Sequence, residues 1–386
     1  MPEPTRFVRD RVTRLCYLLL AWFAYLQAAP GLVLPYLRNE LHLTYSVGGL
    51  HVAAFAAGSL IAGVLGPRVE RLLGRRTMLW SAAAVMGIGA IGLTAGGVVA
   101  VTVGSVLLLG LGGGTLLVTV QAVLADHHGE LRTIAFTEAN LAASAAYVVL
   151  IGVLSFTAAI GLGWRIALLA SLLVPLLAWL ANRRLPITAA PPVPDGSARL
   201  PGTFWIAAAM IICTTAIEWC VTGWGATFVG GAARLAPAAA VGLMGGYFGG
   251  VLVGRAVGSR LARRFEASRL LGLALALTAA GFLLLWPATT PGQAFAGLAV
   301  IGAGIGNLFP LGLSIAVALA PGRAGAASGR AVVASSIAVL LAPLTIGALA
   351  DATSLSAAFL LVPVLLVLAA AGLALVQRGH RVAARV

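Results

Sequence analysis

Three ionisable side chains interrupt otherwise apolar runs of this sequence, and each could carry a proton. Glu218 stands about fifteen residues into the run 203–229 and is followed by Trp219, Thr222 and Trp224. At about 1.5 Å per residue it would lie on the order of 22 Å along a helix, past the middle of a hydrocarbon layer about 30 Å thick. A charged group there is costly and tends to be kept for function, which makes Glu218 a candidate for proton coupling. A glutamate held by a polar neighbour for packing is the competing reading. Glu138, near Asn140, Ser144 and Tyr147, is a second candidate, although a salt bridge to an arginine of another helix would explain it equally well. His51 is the third, because histidine ordinarily titrates near neutral pH; a packing or surface role competes with it.

No other grouping suggests bond-making chemistry. Asp126-His127-His128 comes nearest to a ligand set, but lacks the further ligands a metal site needs and reads as interfacial. Cys16, Cys213 and Cys220 are odd in number and have neither disulfide-framework nor metal spacing. No nucleotide-binding loop is present. The chain is therefore not expected to be an enzyme or to carry a cofactor or metal, and an ion gradient is the expected energy source.

The elements that hold these residues are apolar. Of 386 residues 60% are hydrophobic and only 9% charged, far from soluble composition. Twelve runs can cross a bilayer as helices: 15–37, 47–65, 77–98, 102–125, 133–158, 164–181, 203–229, 238–257, 269–287, 292–318, 326–349 and 354–376. All 25 basic residues are arginine. With the N-terminus inside and every run crossing, 22 of them fall on the cytoplasmic side, leaving Arg38, Arg165 and Arg234 outside. That bias fixes the orientation, with both termini cytoplasmic. It also explains the net charge of +14 without nucleic acid as a partner. A retained first helix, rather than a cleaved leader, is expected. The proline-rich stretch 182–202 reads as a cytoplasmic linker between bundles 1–181 and 203–386. Clustered glycines in the fourth and eighth runs suit close helix contact, and Pro30, Pro35, Pro310 and Pro343 are expected to interrupt their helices.

Between the second and third runs lies Gly-Pro-Arg-Val-Glu-Arg-Leu-Leu-Gly-Arg-Arg, residues 66–76. A decayed copy, Gly-Ser-Arg-Leu-Ala-Arg-Arg, starts at Gly258, 192 residues on, which points to an internal duplication. This loop resembles the Gly-x-Leu-Ala-Asp-Arg-x-Gly-Arg-Arg signature of the major facilitator superfamily. Gly66, Arg71, Gly74, Arg75 and Arg76 match it, Glu70 replaces the aspartate, Arg68 takes the leucine place, and one residue is added before Gly74. In the second copy Gly258 and Arg263 match, with Ala262 at the acidic position. Gly163-Trp164-Arg165 and the end of the eleventh run, 343–351, are also similar to the family. The antiporter Gly-Pro pair is missing from the fifth run, and the arginine that often precedes the glycines of the fourth run is missing too.

The resemblance implies an all-α membrane protein of twelve transmembrane helices in two six-helix bundles, multi-pass in the cytoplasmic (inner) membrane and monomeric. It implies a secondary active transporter working by alternating access, and a gating role for the loop residues Gly66, Glu70, Arg71, Gly74, Arg75, Arg76, Gly258 and Arg263. In such a family the first, fourth, seventh and tenth helices line the cavity. That makes Tyr25, Gln27, Tyr36, Gln121, Glu218, Trp224, Asn307 and Phe309 candidate substrate contacts. The expected partners are a small-molecule substrate, protons and membrane lipids. Export of a small organic solute is slightly favoured, with proton-coupled uptake of a neutral nutrient such as a sugar or nucleoside as the alternative. A channel or a membrane-embedded enzyme is the reading from another class. A channel gives no reason for two gate loops.

Overall fold

The computed structural model describes residues 7–187, 200–320 and 323–383. Residues 188–199 of the expected linker lie outside them. The described residues form helices joined by short turns: α1 Arg11–Leu41, α2 Tyr45–Leu73, α3 Arg75–Ala95, α4 Val99–His128, α5 Arg132–Ala159, α6 Gly163–Ser171, α7 Leu173–Asn182 and α8 Gly202–Ala232. They continue with α9 Pro237–Leu261, α10 Ala267–Leu285, α11 Pro291–Ile305, α12 Leu308–Ala318, α13 Ala324–Ala352, α14 Leu355–Ala358 and α15 Leu361–Ala383.

Eleven apolar segments among the described residues are long enough to span a membrane. One of them, Val99–Ala159, is 61 residues long and holds both α4 and α5, divided by a single 3-10 turn at Gly129–Leu131. Large apolar side chains such as Leu283, Val253 and Val367 stand exposed on helix faces, as hydrocarbon solvent allows. The chain is an all-α, multi-pass membrane protein.

Helix ends follow the backbone chemistry of glycine and proline. Gly74 stops α2 with φ +76°, and α3 starts at the next residue. The basic stretch 66–76 is consequently helical up to Leu73, and Gly258 likewise lies inside α9. Three expected spans are broken in two, and in each the third residue of the second piece is proline: Pro175 in α7, Pro310 in α12 and Pro363 in α15. A first-turn position needs no N–H donor, so proline is accommodated there but not further in. Pro30, Pro35 and Pro343 do not interrupt their helices as the sequence suggests; α1 and α13 run through them. Proline removes only one backbone bond, which neighbouring groups can replace in a membrane helix.

The chain divides into two compact units, Met1–Pro30 with Ala54–Pro192, and Gly31–Ala53 with Val193–Val386. In the first, α3 packs on α4 and α6, and α5 on α4 and α6. In the second, α9 and α10 pack on α11, while α8 packs on α13 and α15. Both units use the same glycine crossings. A Cβ on Gly58 would sit 2.1 Å from the Leu107 carbonyl oxygen, and one on Gly250 would sit 2.2 Å from that of Ala299. Gly110 approaches the Phe55 carbonyl as Gly302 approaches that of Tyr247. Gly112 meets Ala82 and Met86 as Gly304 meets Ala274 and Thr278. Every member of these pairs is 192 residues from its counterpart, the same offset as Gly66 and Gly258.

Candidate functional site

In the first unit, Gly74 turns the chain so that Arg75 opens α3 facing back along α2. The Arg75 side chain, only 8% exposed, donates from Nε to Glu70 Oε1 at 2.6 Å and from Nη1 to Asp126 Oδ2 near the end of α4. One guanidinium thus ties the ends of three helices. A buried cation between two carboxylates is strongly held, because losing both would leave an unpaired charge. Of the remaining loop residues, Arg71 and Arg76 are exposed, and Gly66 is buried with Met78 Cε 3.4 Å from where its Cβ would be.

A second polar cluster gathers the chain start against the same end of α4 and α5. Asp10 caps α1, its Oδ1 accepting from the Thr13 N–H at 2.9 Å and hydroxyl at 2.7 Å, while Oδ2 meets His127 Nε2 at 2.7 Å. Partial burial works against ionisation of Asp10, but the Thr13 and His127 bonds outweigh it and hold its carboxyl below the usual range. The proton-coupling candidate Glu138 is engaged here: Arg9 Nε and Nη2 donate to its two oxygens at 2.8 and 2.6 Å, and the Tyr17 hydroxyl donates at 3.2 Å.

In the second unit, Pro310 has no N–H to offer the Gly306 carbonyl four residues earlier. Arg255 of α9 fills that place, donating from Nε to Gly306 O at 3.3 Å. Asn307, between α11 and α12, returns the contact, donating from Nδ2 to Gly254 O at 2.7 Å. Gly258 makes this possible, since a Cβ there would lie 2.1 Å from Asn307 Oδ1. Glu218 is half-buried in α8, which packs on α9, the helix that carries Arg255, and it makes no salt bridge among the described residues. The offset of 192 residues puts Gly63 and Thr115 at the places of Arg255 and Asn307 in the first unit, and Ala262 and Ala318 at those of Glu70 and Asp126 in the second. Each unit has its own polar clasp, built at a different place in the repeat.

The other candidates are distributed as follows. Tyr25 is buried and donates to Ala167 O at 2.9 Å; Gln27 accepts from the Tyr147 hydroxyl at 2.8 Å. Gln121 is exposed, and Tyr36 and Phe309 are half-buried. Trp224 is fully buried and donates from Nε1 to Pro343 O at 3.0 Å, with the Tyr45 ring 5.8 Å away. His51 is buried, its Nδ1 2.8 Å from Val47 O. Arg263 is exposed. Tyr25, Gln27 and Gln121 belong to the first unit, and the remaining cavity candidates to the second. Sequence reasoning read Asp126 only as interfacial and gave Arg255 and Asp10 no role at the site. Asp126 and Arg255 each carried a usable signal, an ionisable residue near the end of an apolar run. Among the described residues no group of three or more His, Cys, Asp or Glu could hold a metal ion.

The family model of the Major Facilitator Superfamily matches residues 15–241 and again 232–385. No curated relative matches the sequence. Among solved structures, a bacterial homologue of the human lysosomal transporter Spinster, inward-facing and occupied, is similar at 15% identity, with TM-score 0.76 over 97% of this chain and 98% of that one. The nucleoside transporter NupG is similar at 13% identity, TM-score 0.77, over 95% and 99% of the two chains. A D-xylose–proton symporter is similar at 16% identity, TM-score 0.77, over 95% and 96%. At these identities the likeness is one of fold.

Proposed function

Because the chain belongs to the major facilitator superfamily, and is thereby a secondary transporter of a small solute rather than an enzyme, we propose that it is a proton-coupled symporter taking up a small neutral solute such as a sugar or nucleoside. Its twelve spans form two six-helix bundles in the inner membrane, with both termini cytoplasmic, and it works as a monomer by alternating access. The observation that carries the coupling is Glu218, a half-buried acid inside the apolar helix α8 that makes no salt bridge among the described residues. Such a carboxyl can gain and lose a proton as its surroundings change. Asn307 and Phe309, beside the broken helix of the same unit, supply amide and aromatic contacts suited to a neutral solute. The slight lean to export drawn from the sequence gives way to uptake, because a nucleoside transporter and a D-xylose–proton symporter share the fold over nearly their whole lengths. The Arg75 clasp with Glu70 and Asp126 serves as a gate element on the cytoplasmic side, with Arg71 and Arg76 beside it, and the Gly258 region is its counterpart.

A thermal-shift screen of purified protein against sugars, nucleosides, amino acids and cationic drugs identifies the solute class. Proteoliposomes with an imposed pH gradient then test coupling. Accumulation of the identified solute along the proton gradient, lost in Glu218→Gln while counterflow persists, is the expected result. Unchanged gradient-driven accumulation in Glu218→Gln removes the carrier role, and solute movement against the proton flow reassigns the protein to export.

A further inference from the structure

Where α3 begins and α7 ends, the first unit carries an open cavity of about 470 Å³. Arg76, Arg183 and Arg184 ring it, with Thr77 and Ser81 between them, and no acidic residue is in its lining. Among the described residues none of the three arginines is in a salt bridge with a carboxylate; Arg75, their neighbour, takes both Glu70 and Asp126. No side chain caps the start of α3 at Gly74, so first-turn N–H groups near Arg76 and Thr77 add positive potential. The floor of the cavity is formed by Trp80 and Trp179, and the Arg183 guanidinium lies 5.4 Å from the Trp179 ring centroid.

The same two tryptophans open a second cavity of about 400 Å³ that runs on between α3 and the α6–α7 break. Its walls are apolar, formed by Ile88, Ile91, Leu172, Pro175 and Leu176, and Gly87 keeps it open: a Cβ there meets only Leu172 Cδ2, at 3.5 Å. Trp80 lines both cavities, and its indole Nε1 is buried without a hydrogen-bond partner. A buried indole N–H usually has one, and its lack of an acceptor marks a place for an oxygen from outside the chain.

We propose that this continuous groove is a binding site for an anionic glycerophospholipid, with the phosphate among Arg76, Arg183 and Arg184, an ester or glycerol oxygen on Trp80 Nε1, and an acyl chain along Gly87 and Leu172. Three cations with no carboxylate select a net anionic head group over a zwitterionic one, whose amine would meet only positive charge. An apolar channel leading directly from the charged site distinguishes a lipid from free phosphate. The site belongs to the cytoplasmic leaflet under the topology proposed above, but binding itself does not depend on that topology or on the transported solute.

Native mass spectrometry of the full-length protein in detergent tests the site, with dioleoyl phosphatidylglycerol, phosphatidylethanolamine and phosphatidylcholine titrated separately. Retention of phosphatidylglycerol is expected at least tenfold better than of phosphatidylcholine. Arg183→Gln/Arg184→Gln should abolish that preference, and the charge-matched Arg264→Gln/Arg269→Gln should keep it. Gly87→Leu, which fills the channel and leaves the arginines, should lose the lipid as well. Brominated phosphatidylglycerol should quench tryptophan fluorescence in the parent protein and much less in Trp80→Phe/Trp179→Phe. Equal retention of the two lipids, or equal loss in the two arginine pairs, would show only general attraction to a basic surface and overturn the proposal. Protection by inorganic phosphate as strong as by phosphatidylglycerol, with Gly87→Leu unaffected, would overturn it in favour of a free anion.

Discussion

Asp351, at the end of α13, caps α2 through Tyr45. Its carboxylate accepts the Tyr45 N–H at 2.8 Å and the Ser46 N–H at 2.7 Å, so a residue 306 positions away in the chain adds to the local cap, in which the Thr44 hydroxyl accepts the Val47 N–H at 3.3 Å. Arg38 completes the arrangement, its guanidinium 3.4 Å from the centroid of the Tyr45 ring. Capping carboxylates are worth about 0.5–2 kcal/mol, and a charged acceptor at a helix start adds the favourable dipole term. Asp351→Ala should therefore unfold at a lower temperature in detergent, with Asp351→Asn in between, because the amide oxygen still accepts. An alanine variant as stable as the parent would mean that the cap contributes nothing.

Glu70 and Asp126 share one cation, which predicts how their substitutions combine. Glu70→Gln or Asp126→Asn alone leaves Arg75 with one carboxylate and should cost only about 1 kcal/mol, because one counter-charge remains and both carboxylates keep some solvent contact. The double variant leaves a nearly buried guanidinium with no counter-charge, a loss on the order of 3–5 kcal/mol. Chemical unfolding of the four proteins gives the coupling directly. Simple additivity of the two single losses would show that Arg75 finds compensation elsewhere.

Gly66 and Gly258 occupy the same place in the repeat, yet they should respond differently to alanine. At Gly66 the new methyl would meet the flexible end of Met78 at 3.4 Å, ordinary contact, so Gly66→Ala should be close to neutral in stability. At Gly258 it would lie 2.1 Å from Asn307 Oδ1 and push the amide off the Gly254 carbonyl. Gly258→Ala should lose about 1–3 kcal/mol, and adding Asn307→Ala should recover part of that by removing the collision. Equal behaviour of the two glycine variants, measured by thermal unfolding, would refute the asymmetry.

That contrast also shows what the sequence could and could not reveal. Long apolar runs, the one-sided placement of arginine and the Gly66–Gly258 spacing are local or periodic signals, and from them the multi-pass helical fold and its duplication were readable. The offset of 192 extends to backbone contacts such as Gly110 with Phe55 and Gly302 with Tyr247, because close helix crossings admit only small residues. Partners were not readable. Arg75 finds Asp126 51 residues away, and Glu138 finds Arg9 across 129 residues. A charge pattern along the chain says that each needs a partner, but only tertiary packing says which. The helix breaks show the same division: Pro310 signalled an unpaired carbonyl, and nothing local signalled that Arg255 would satisfy it.

Acid should weaken the contact between the chain start and the end of α4, and Asp10 sets where. Its carboxyl is held below the ordinary range by Thr13 and His127 despite partial burial. A folded-state value below the unfolded one means that the ionised form stabilises the fold. That contribution is fully present above the unfolded value of about 3.9 and is lost as pH falls through the lower folded value. Asp10→Asn keeps an oxygen for the Thr13 N–H but carries no charge for His127, so it isolates the electrostatic part. The parent should be more stable than Asp10→Asn at pH 6 in thermal unfolding, and the gap should close as pH is lowered through about 4 towards 3. High salt should narrow the gap at pH 6, because the carboxylate and the imidazole are each more than one-third exposed. A gap that stays constant down to pH 3 would mean that Asp10 acts only as a helix cap, and that its contact with His127 carries no charge-dependent stabilisation.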